Sequence, residues 1–174
     1  MYNQTAEIVK KADRIVKSCG SRDPHRIAKE LGIHVRYADF KRQRGAYKVI
    51  MRNRYVFLNP NLHPVMENIV LWHEIGHDQL HRNEAVATGG FKEFNIFDMQ
   101  ESRMEFEANI FASQGSLSDD EVLELIMQGY DIQQIARAMH SDINLVALKV
   151  DTLRTMGYQL RSQEHRNDFL KYNR

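Results

Sequence analysis

Residues 71–81 read Leu-Trp-His-Glu-Ile-Gly-His-Asp-Gln-Leu-His. The chain is rich in apolar residues from Val65 to Leu80 and has no proline after Pro64, and this run is too long for an ordinary strand. We therefore predict a helix over this stretch. Residues four apart in a helix lie on the same face, so His73 and His77 can direct two imidazoles at one point.

The pattern His-Glu-x-x-His is typical of a catalytic zinc site. Zinc accepts imidazole nitrogens at about 2.0–2.1 Å, and a catalytic zinc takes three protein ligands and leaves one position for water. Glu74 directly follows the first histidine, so its carboxylate can reach that water as a general base. A helix that merely carries surface histidines is the alternative. The helix is apolar on more than one side, however, which predicts burial, and a buried charge needs a partner.

Composition restricts the class of protein further. The 174 residues are 43% hydrophobic and 27% charged, which suits one soluble domain, or one domain with a small appendage. The net charge of +1 argues neither for nor against nucleic acid. The single cysteine, Cys19, excludes an internal disulfide framework. No apolar run approaches the roughly 20 residues of a membrane span and the N-terminus lacks a secretory signal, so we expect a cytoplasmic protein without a membrane partner.

The region before the motif is predicted to contain two helices and a small sheet. Apolar spacing predicts a helix over residues 5–18, and Asp23-Pro24 predicts the start of a short second helix. Residues 33–40, 46–51 and 54–58 are predicted strands, joined as an antiparallel meander with short hairpins. The meander carries basic residues without an acidic one between them, and we favour a solvated hairpin over a surface for acidic partners. These residues are Lys41, Arg42, Arg44, Lys48, Arg52 and Arg54.

A loop and a second long helix are predicted after the motif. Residues 82–97 contain Gly89 and Gly90 and show no clean period, so we predict a loop, and long loops beside a site are often lids or binding segments. Helical spacing returns over residues 99–114.

The C-terminal part is predicted to be helical. Ser118 to Glu121 forms a capping-box pattern, and residues 131–139 and 143–156 form two short helices that resemble a helix-turn-helix. The second of these has nearly balanced charge, a poor complement to a phosphate backbone, so we expect packing or protein binding rather than direct DNA binding. The predicted division is a core of residues 1–115, a helical subdomain of residues 116–158 and a polar tail of residues 159–174.

A third metal ligand is expected from the helix at residues 99–114, which carries Glu101, Glu105 and Glu107. Glu105 and Asn109 are four apart and share a face, so if Glu105 binds the metal, Asn109 can hydrogen-bond a ligand histidine. Glu107 points about 200° around the helix from Glu105, so both cannot be ligands. Three acidic residues on a solvated helix are the alternative.

Two segments together resemble a known family. His-Glu-Ile-Gly-His followed by Leu80-His81, and then residues 105–112, Glu-Phe-Glu-Ala-Asn-Ile-Phe-Ala, are similar to the ImmA/IrrE family of metallo-endopeptidases. The resemblance extends over roughly residues 20–155. More distantly the chain resembles the gluzincins, in which Glu-x-x-x-Asp supplies the third ligand. The resemblance implies an α+β, zincin-like fold in which the motif helix and a second ligand helix accompany the small sheet. It also implies that Glu105 is the third ligand, with Asn109 in place of the aspartate.

The resemblance further implies a zinc protease that acts on a regulator. Members with this short layout are typically encoded by phages or integrative elements and cleave a neighbouring helix-turn-helix repressor, which makes them anti-repressors. We expect Zn²⁺ on His73, His77 and Glu105, with His81 packed against these ligands rather than bound to the metal. An exposed sheet edge would hold the substrate in extended form, and Tyr47, Tyr55 or another tyrosine could stabilise the oxyanion. The alternative is a metal-stabilised protein that inactivates the repressor by binding it.

Overall fold

The computed structural model describes residues 2–93 and 102–160, and within these ranges the chain forms eight helices and four strands. The predicted tail beyond residue 160 lies outside the described residues. The helices before the sheet are α1 (Tyr2–Cys19) and α2 (Pro24–Glu30), and the strands are β1 (Ile33–Tyr37), β2 (Gly45–Ile50), β3 (Asn53–Leu58) and β4 (Phe91–Glu93). The other helices are α3 (Pro64–Leu80), α4 (Arg82–Thr88), α5 (Arg103–Ser116), α6 (Asp119–Met127), α7 (Ile132–Ala138) and α8 (Ile143–Thr155).

The motif helix α3 is predicted correctly and lies in the core. His63 caps its first turn by accepting a hydrogen bond from the backbone N–H of Val65, and Pro64 occupies the first helical position, where a missing N–H costs nothing. Every residue from Ile69 to Asp78 is buried. The apolar residues all around the helix therefore correspond to a helix that is covered on several sides.

The sheet differs from the predicted antiparallel meander. It has four strands in the order β1-β3-β2-β4, and β1 pairs with β3 in parallel, from Ile33 opposite Arg54 to Tyr37 opposite Leu58. Only the β2–β3 hairpin and the β2–β4 pair are antiparallel. Side-chain alternation is the same in parallel and antiparallel strands, so it cannot reveal which neighbour a strand selects. The connection between β1 and β2 is held by Asn59, whose amide donates to two carbonyls of this segment.

The predicted loop at residues 82–97 is wrong over residues 82–93, which form α4 and β4. Gly89 and Gly90 have φ of +84° and +111°, and these conformations end the helix and direct the chain to the edge of β2. A Cβ on Gly90 would lie 2.5 Å from the carbonyl oxygen of Tyr47, so only glycine permits this approach. Residues 94–97 of the predicted loop, and residues 99–101 of the predicted second helix, lie outside the described residues.

The motif helix α3 and the helix α5 cross at small residues. A Cβ on Gly76 would lie 3.2 Å from the backbone of Ala108, and one on Gly115 would lie 2.5 Å from the ring of Trp72. Glycine at these two positions therefore allows α5 to approach α3 closely. Ser102 caps α5 by accepting a hydrogen bond from the backbone N–H of Glu105, which fixes the turn that carries this carboxylate.

The C-terminal helices α6, α7 and α8 occur as predicted, and they share the buried apolar cluster of the rest of the molecule. Val122, Ile135 and Leu145 belong to the same cluster as Trp72 and Phe111. The division at residue 115 stays a prediction. Among the described residues, no helix is long and apolar enough to cross a membrane.

Candidate metal centre

Three side chains from α3 and α5 converge at the crossing of these helices. The Nε2 atoms of His73 and His77 are 3.0 Å apart, and Oε2 of Glu105 lies 3.0 Å from the first and 3.3 Å from the second. Both histidines are buried, whereas the side chain of Glu105 keeps 19% of its surface exposed. Among the described residues, these two imidazoles and one carboxylate form a group that could hold a metal ion.

The donor set fits a zinc ion. Four ligands at about 2.0–2.1 Å in a tetrahedron lie about 3.3 Å from one another, and the three observed separations approach this value. Two imidazoles and a carboxylate, with room for a fourth ligand, are also the donors of many catalytic zinc sites.

The protonation states suit a cation. Burial lowers the pKa of His77 to about 4, so this ring is neutral at pH 7. Burial opposes ionisation of Glu105, but hydrogen bonds to His73 and His77 outweigh it and lower the pKa of this carboxyl well below its usual value. A neutral imidazole and an ionised carboxylate are the forms that bind a divalent metal.

Asn109 orients the first histidine. The Nδ1 atom of His73 lies 2.8 Å from Oδ1 of Asn109, which is buried one helical turn beyond Glu105. An Nδ1–H that donates to this oxygen leaves the lone pair of Nε2 directed at the point where the three donors meet. The structure therefore brings Asn109 to the contact that the sequence predicts, and the role of Asn109 in metal binding stays a prediction.

The second histidine has a different set of neighbours. Nδ1 of His77 lies 3.2 Å from Nδ1 of His81, and Nε2 of His81 lies 3.0 Å from Oε2 of Glu107. The ring of Phe91, at the start of β4, stacks on the His77 ring with centroids 4.2 Å apart. The sequence predicts His81 close to the ligands, but no pattern in it indicates Phe91, and it suggests Glu107 only as a competing ligand.

The carboxylate of Glu74 is completely buried beside the start of β2. A Cβ on Gly45 would lie 2.7 Å from Oε1 of Glu74 and 2.6 Å from Cγ1 of Val70. The absence of a side chain at Gly45 therefore leaves the space that the carboxylate occupies. Glu74 follows His73 directly in α3, which keeps the carboxylate in the same turn as the first imidazole.

The two tyrosines that the sequence suggests for the oxyanion, Tyr47 and Tyr55, form their hydrogen bonds and ring contacts with residues other than the three donors. The hydroxyl of Tyr47 donates to Oδ1 of Asp78 over 2.7 Å, and burial, reinforced by this bond, raises the pKa of Tyr47 far above its usual value. The ring of Tyr55 lies against His34 and Phe57 instead. The structure thus gives both tyrosines contacts away from the metal ligands.

Asp78 is a buried residue of the motif helix that the sequence analysis did not identify. Its Oδ2 accepts hydrogen bonds from Arg54 over 3.0 Å and from Arg82 over 2.9 Å. The expectation that the basic residues of the strands are solvated is therefore wrong for Arg54. The available signal was an aspartate inside a helix that is apolar on more than one side, because a buried carboxylate needs a cation nearby.

Comparison with known proteins agrees with this geometry. A family model for peptidase M78, described as the IrrE N-terminal-like domain, matches residues 28–150, which is more than half of the chain. The chain belongs to this family. The range that matches the IrrE N-terminal-like domain contains α3 and α5, and α1 precedes it.

A phage protein is also similar. The chain is 33% identical over 107 residues to "Uncharacterized immunity region protein 2" of Bacillus phage phi105. The aligned region covers 61% of this chain and 65% of the phage protein, so the chain spans less than two thirds of the length of that relative.

Proposed function

We propose that this protein is a zinc-dependent endopeptidase that cleaves a helix-turn-helix repressor and so acts as an anti-repressor for a prophage or another mobile element. The observation that carries the proposal is the convergence of His73, His77 and Glu105, with the buried Glu74 directly after His73 in α3, in a member of a peptidase family. The name of the phage relative assigns that relative to an immunity region, which supports a repressor as the substrate.

The residues of the centre have separate tasks in this proposal. A zinc ion held by His73, His77 and Glu105 would polarise the scissile carbonyl and lower the pKa of a water molecule. Glu74 accepts the proton of that water and then transfers it to the leaving amine. Asn109 holds the ring of His73 in the tautomer that leaves Nε2 unprotonated.

The edge of the sheet offers a place for the substrate backbone. Among the described strands β4 is an edge strand, and it begins at Phe91, whose ring stacks on the ligand His77. A substrate that adds to this edge in extended form would therefore pass the metal ligands. Backbone hydrogen bonds would hold it with little regard to sequence, and side-chain contacts would supply the specificity.

Substitution of Glu74 by glutamine tests the assignment. We expect Glu74→Gln to bind zinc with the stoichiometry of the parent protein and to produce no fragments of the repressor encoded beside its gene, because glutamine cannot accept the proton. The measurement combines metal analysis with electrophoresis of the repressor after incubation. If the variant cleaves as well as the parent, the role of Glu74 is wrong.

The same incubation with a chelator distinguishes cleavage from binding. Fragments that appear only without chelator support the endopeptidase. An intact repressor that no longer binds its operator supports inactivation by binding instead. A control repressor from an unrelated element shows whether either effect is specific.

A further inference from the structure

Hydrogen bonds connect His77 to His81 and His81 to Glu107. The position of each proton in this chain is fixed once Nε2 of His77 is taken as the atom that binds the metal. If Nε2 of His77 is to bind a metal, the proton of the neutral ring must lie on Nδ1, which then donates to Nδ1 of His81 over 3.2 Å. The proton of His81 must in turn lie on Nε2, which donates to Oε2 of Glu107 over 3.0 Å. Each group therefore has one role as donor or acceptor, and the chain ends on a carboxylate.

We propose that His81 and Glu107 are positioning residues that hold His77 in the orientation and tautomer required for metal binding. This inference rests on the metal centre of the proposed function. Neither residue is a ligand in this arrangement. His81 is 4% exposed and the side chain of Glu107 is 14% exposed, so water competes little for their hydrogen bonds.

Glu107 is itself held in place from the other side. Its Oε1 accepts a hydrogen bond from Nε of Arg103 over 2.7 Å and another from the side-chain amide of Gln4. Arg103 also donates to the amide oxygen of Gln4, which closes a small ring of contacts. Gln4 belongs to α1, outside the range that the family model matches, so α1 of this chain takes part in fixing the carboxylate.

The two ligand histidines are consequently supported in different ways. His73 meets the neutral amide of Asn109, whereas His77 meets a histidine that is bonded to a carboxylate. A carboxylate at the end of such a chain increases the electron density on the ligand imidazole. The ring of Phe91, stacked on His77, restricts its rotation but supplies no hydrogen bond. Loss of the acceptor at His81 should therefore affect His77 even though Phe91 remains.

Two substitutions of His81 distinguish positioning from simple packing. His81→Leu fills the space but removes the acceptor, whereas the Oδ1 of asparagine in His81→Asn lies about as far along the side chain as Nδ1 of histidine and can accept the bond from His77. We expect the zinc dissociation constant to rise about 10-fold to 100-fold for His81→Leu. For His81→Asn we expect it to stay within about threefold of the parent value.

The measurement is a competition between the protein and a chromophoric chelator for zinc, with the absorption spectrum of the cobalt-substituted protein as a second readout. The melting temperature of each metal-free variant is recorded as well. A packing role would make zinc affinity follow the melting temperature, whereas the proposal predicts that affinity follows the presence of an acceptor at position 81. We expect the cobalt spectrum of His81→Asn to match that of the parent and that of His81→Leu to differ.

A matched control comes from a second histidine–glutamate contact, between α2 and α3. Nε2 of His25 lies 3.0 Å from Oε1 of Glu67, the same separation as in the His81–Glu107 pair, but neither residue contacts a metal ligand. His25→Leu should leave zinc affinity within about twofold of the parent value. If His81→Leu does not fold, Glu107→Ala provides the test, with an expected loss of about 10-fold.

Each outcome supports or overturns the positioning role of His81 and Glu107. Parent-like zinc affinity in His81→Leu or, where that variant does not fold, in Glu107→Ala overturns the inference alone, and so does an asparagine variant as weak as the leucine variant. A parent protein that binds no zinc overturns the proposed function together with the inference.

Discussion

The imidazole of His77 has close neighbours on every polar atom and on one ring face. His73 and Glu105 lie near Nε2, His81 lies near Nδ1, and Phe91 covers the ring. These neighbours remove the ring from water, which disfavours the charged form. The metal-free centre is therefore expected to resist protonation far below the pH at which an exposed histidine becomes charged.

This property predicts a pH dependence of the metal-free protein. The pKa of His77 falls from 6.5 to about 4 because of burial, so between these values the unfolded chain binds a proton that the folded chain does not. Stability should accordingly decrease as the pH falls from about 6.5 to about 4, by up to roughly 3 kcal/mol. Urea unfolding of the chelated protein across this range measures the effect.

Two variants define the source of that pH dependence. His77→Gln should show a smaller loss of stability over the same range, because the buried titrating group is absent. His140→Asn, at an exposed turn with positive φ that asparagine tolerates, should retain the loss seen in the parent. Equal dependence in the parent and in His77→Gln would contradict the assignment.

At the scale of elements, Asp78 connects α3 to the sheet and to α4. Its carboxylate accepts hydrogen bonds from Tyr47 on β2, Arg54 on β3 and Arg82 at the start of α4, and from the neighbouring Gln79 on α3 itself. Asp78 directly follows the candidate ligand His77, so these bonds also fix the rotation of the motif helix. Its carboxylate is buried, whereas both arginines keep part of their surface exposed.

We predict that Asp78→Ala destabilises the protein by roughly 2–4 kcal/mol, since the buried hydroxyl of Tyr47 loses its acceptor and two arginines lose their counter-ion. Chemical unfolding of the metal-free protein measures the loss. Asp39→Ala, at an exposed position after β1, should change stability by less than about 0.5 kcal/mol. A loss of similar size in both variants would contradict the assigned role of Asp78.

The elements also show where sequence patterns stop being informative. Helices α3 and α8 follow from apolar spacing and capping residues, which are local properties. The parallel pairing of β1 with β3 and the short strand β4 depend on which strands lie beside one another, and an alternating pattern does not contain that information. Gly89 and Gly90 do lie in a turn, as predicted, but this turn is only the connection between α4 and β4 rather than part of a long loop.

At the scale of the whole molecule, one buried polar cluster connects the C-terminal helices to the core. Lys149 on α8 is completely buried and donates to Asp119 at the start of α6 and to Gln114 on α5. The amide of Gln114 also donates to Asp13 on α1 over 2.7 Å. Burial lowers the pKa of Lys149, and the ion pair with Asp119 offsets part of this effect.

The two halves of this ion pair should respond unequally to mutation. Asp119→Ala leaves a buried ammonium without its counter-ion and should cost about 3 kcal/mol. Lys149→Met leaves a carboxylate that is 29% exposed to water, so we expect a loss of about 1 kcal/mol or less. Urea unfolding at pH 7 gives both values. Asp120→Ala, in the same first turn of α6, controls for the helix dipole, and the reverse order of the two losses would contradict the prediction.

The sequence by itself determined the helix that carries His73, Glu74 and His77, because apolar spacing and capping residues are local properties of the chain. It also indicated Glu105 and Asn109, because they share one helix face and match the motif of the family that the sequence resembles. Only the tertiary structure decided that these two helices cross at Gly76, that Glu107 meets His81, and that Phe91 and Asp78 enclose the motif. Those contacts join residues far apart in the chain, and they depend on how helices and strands pack, which no local pattern specifies.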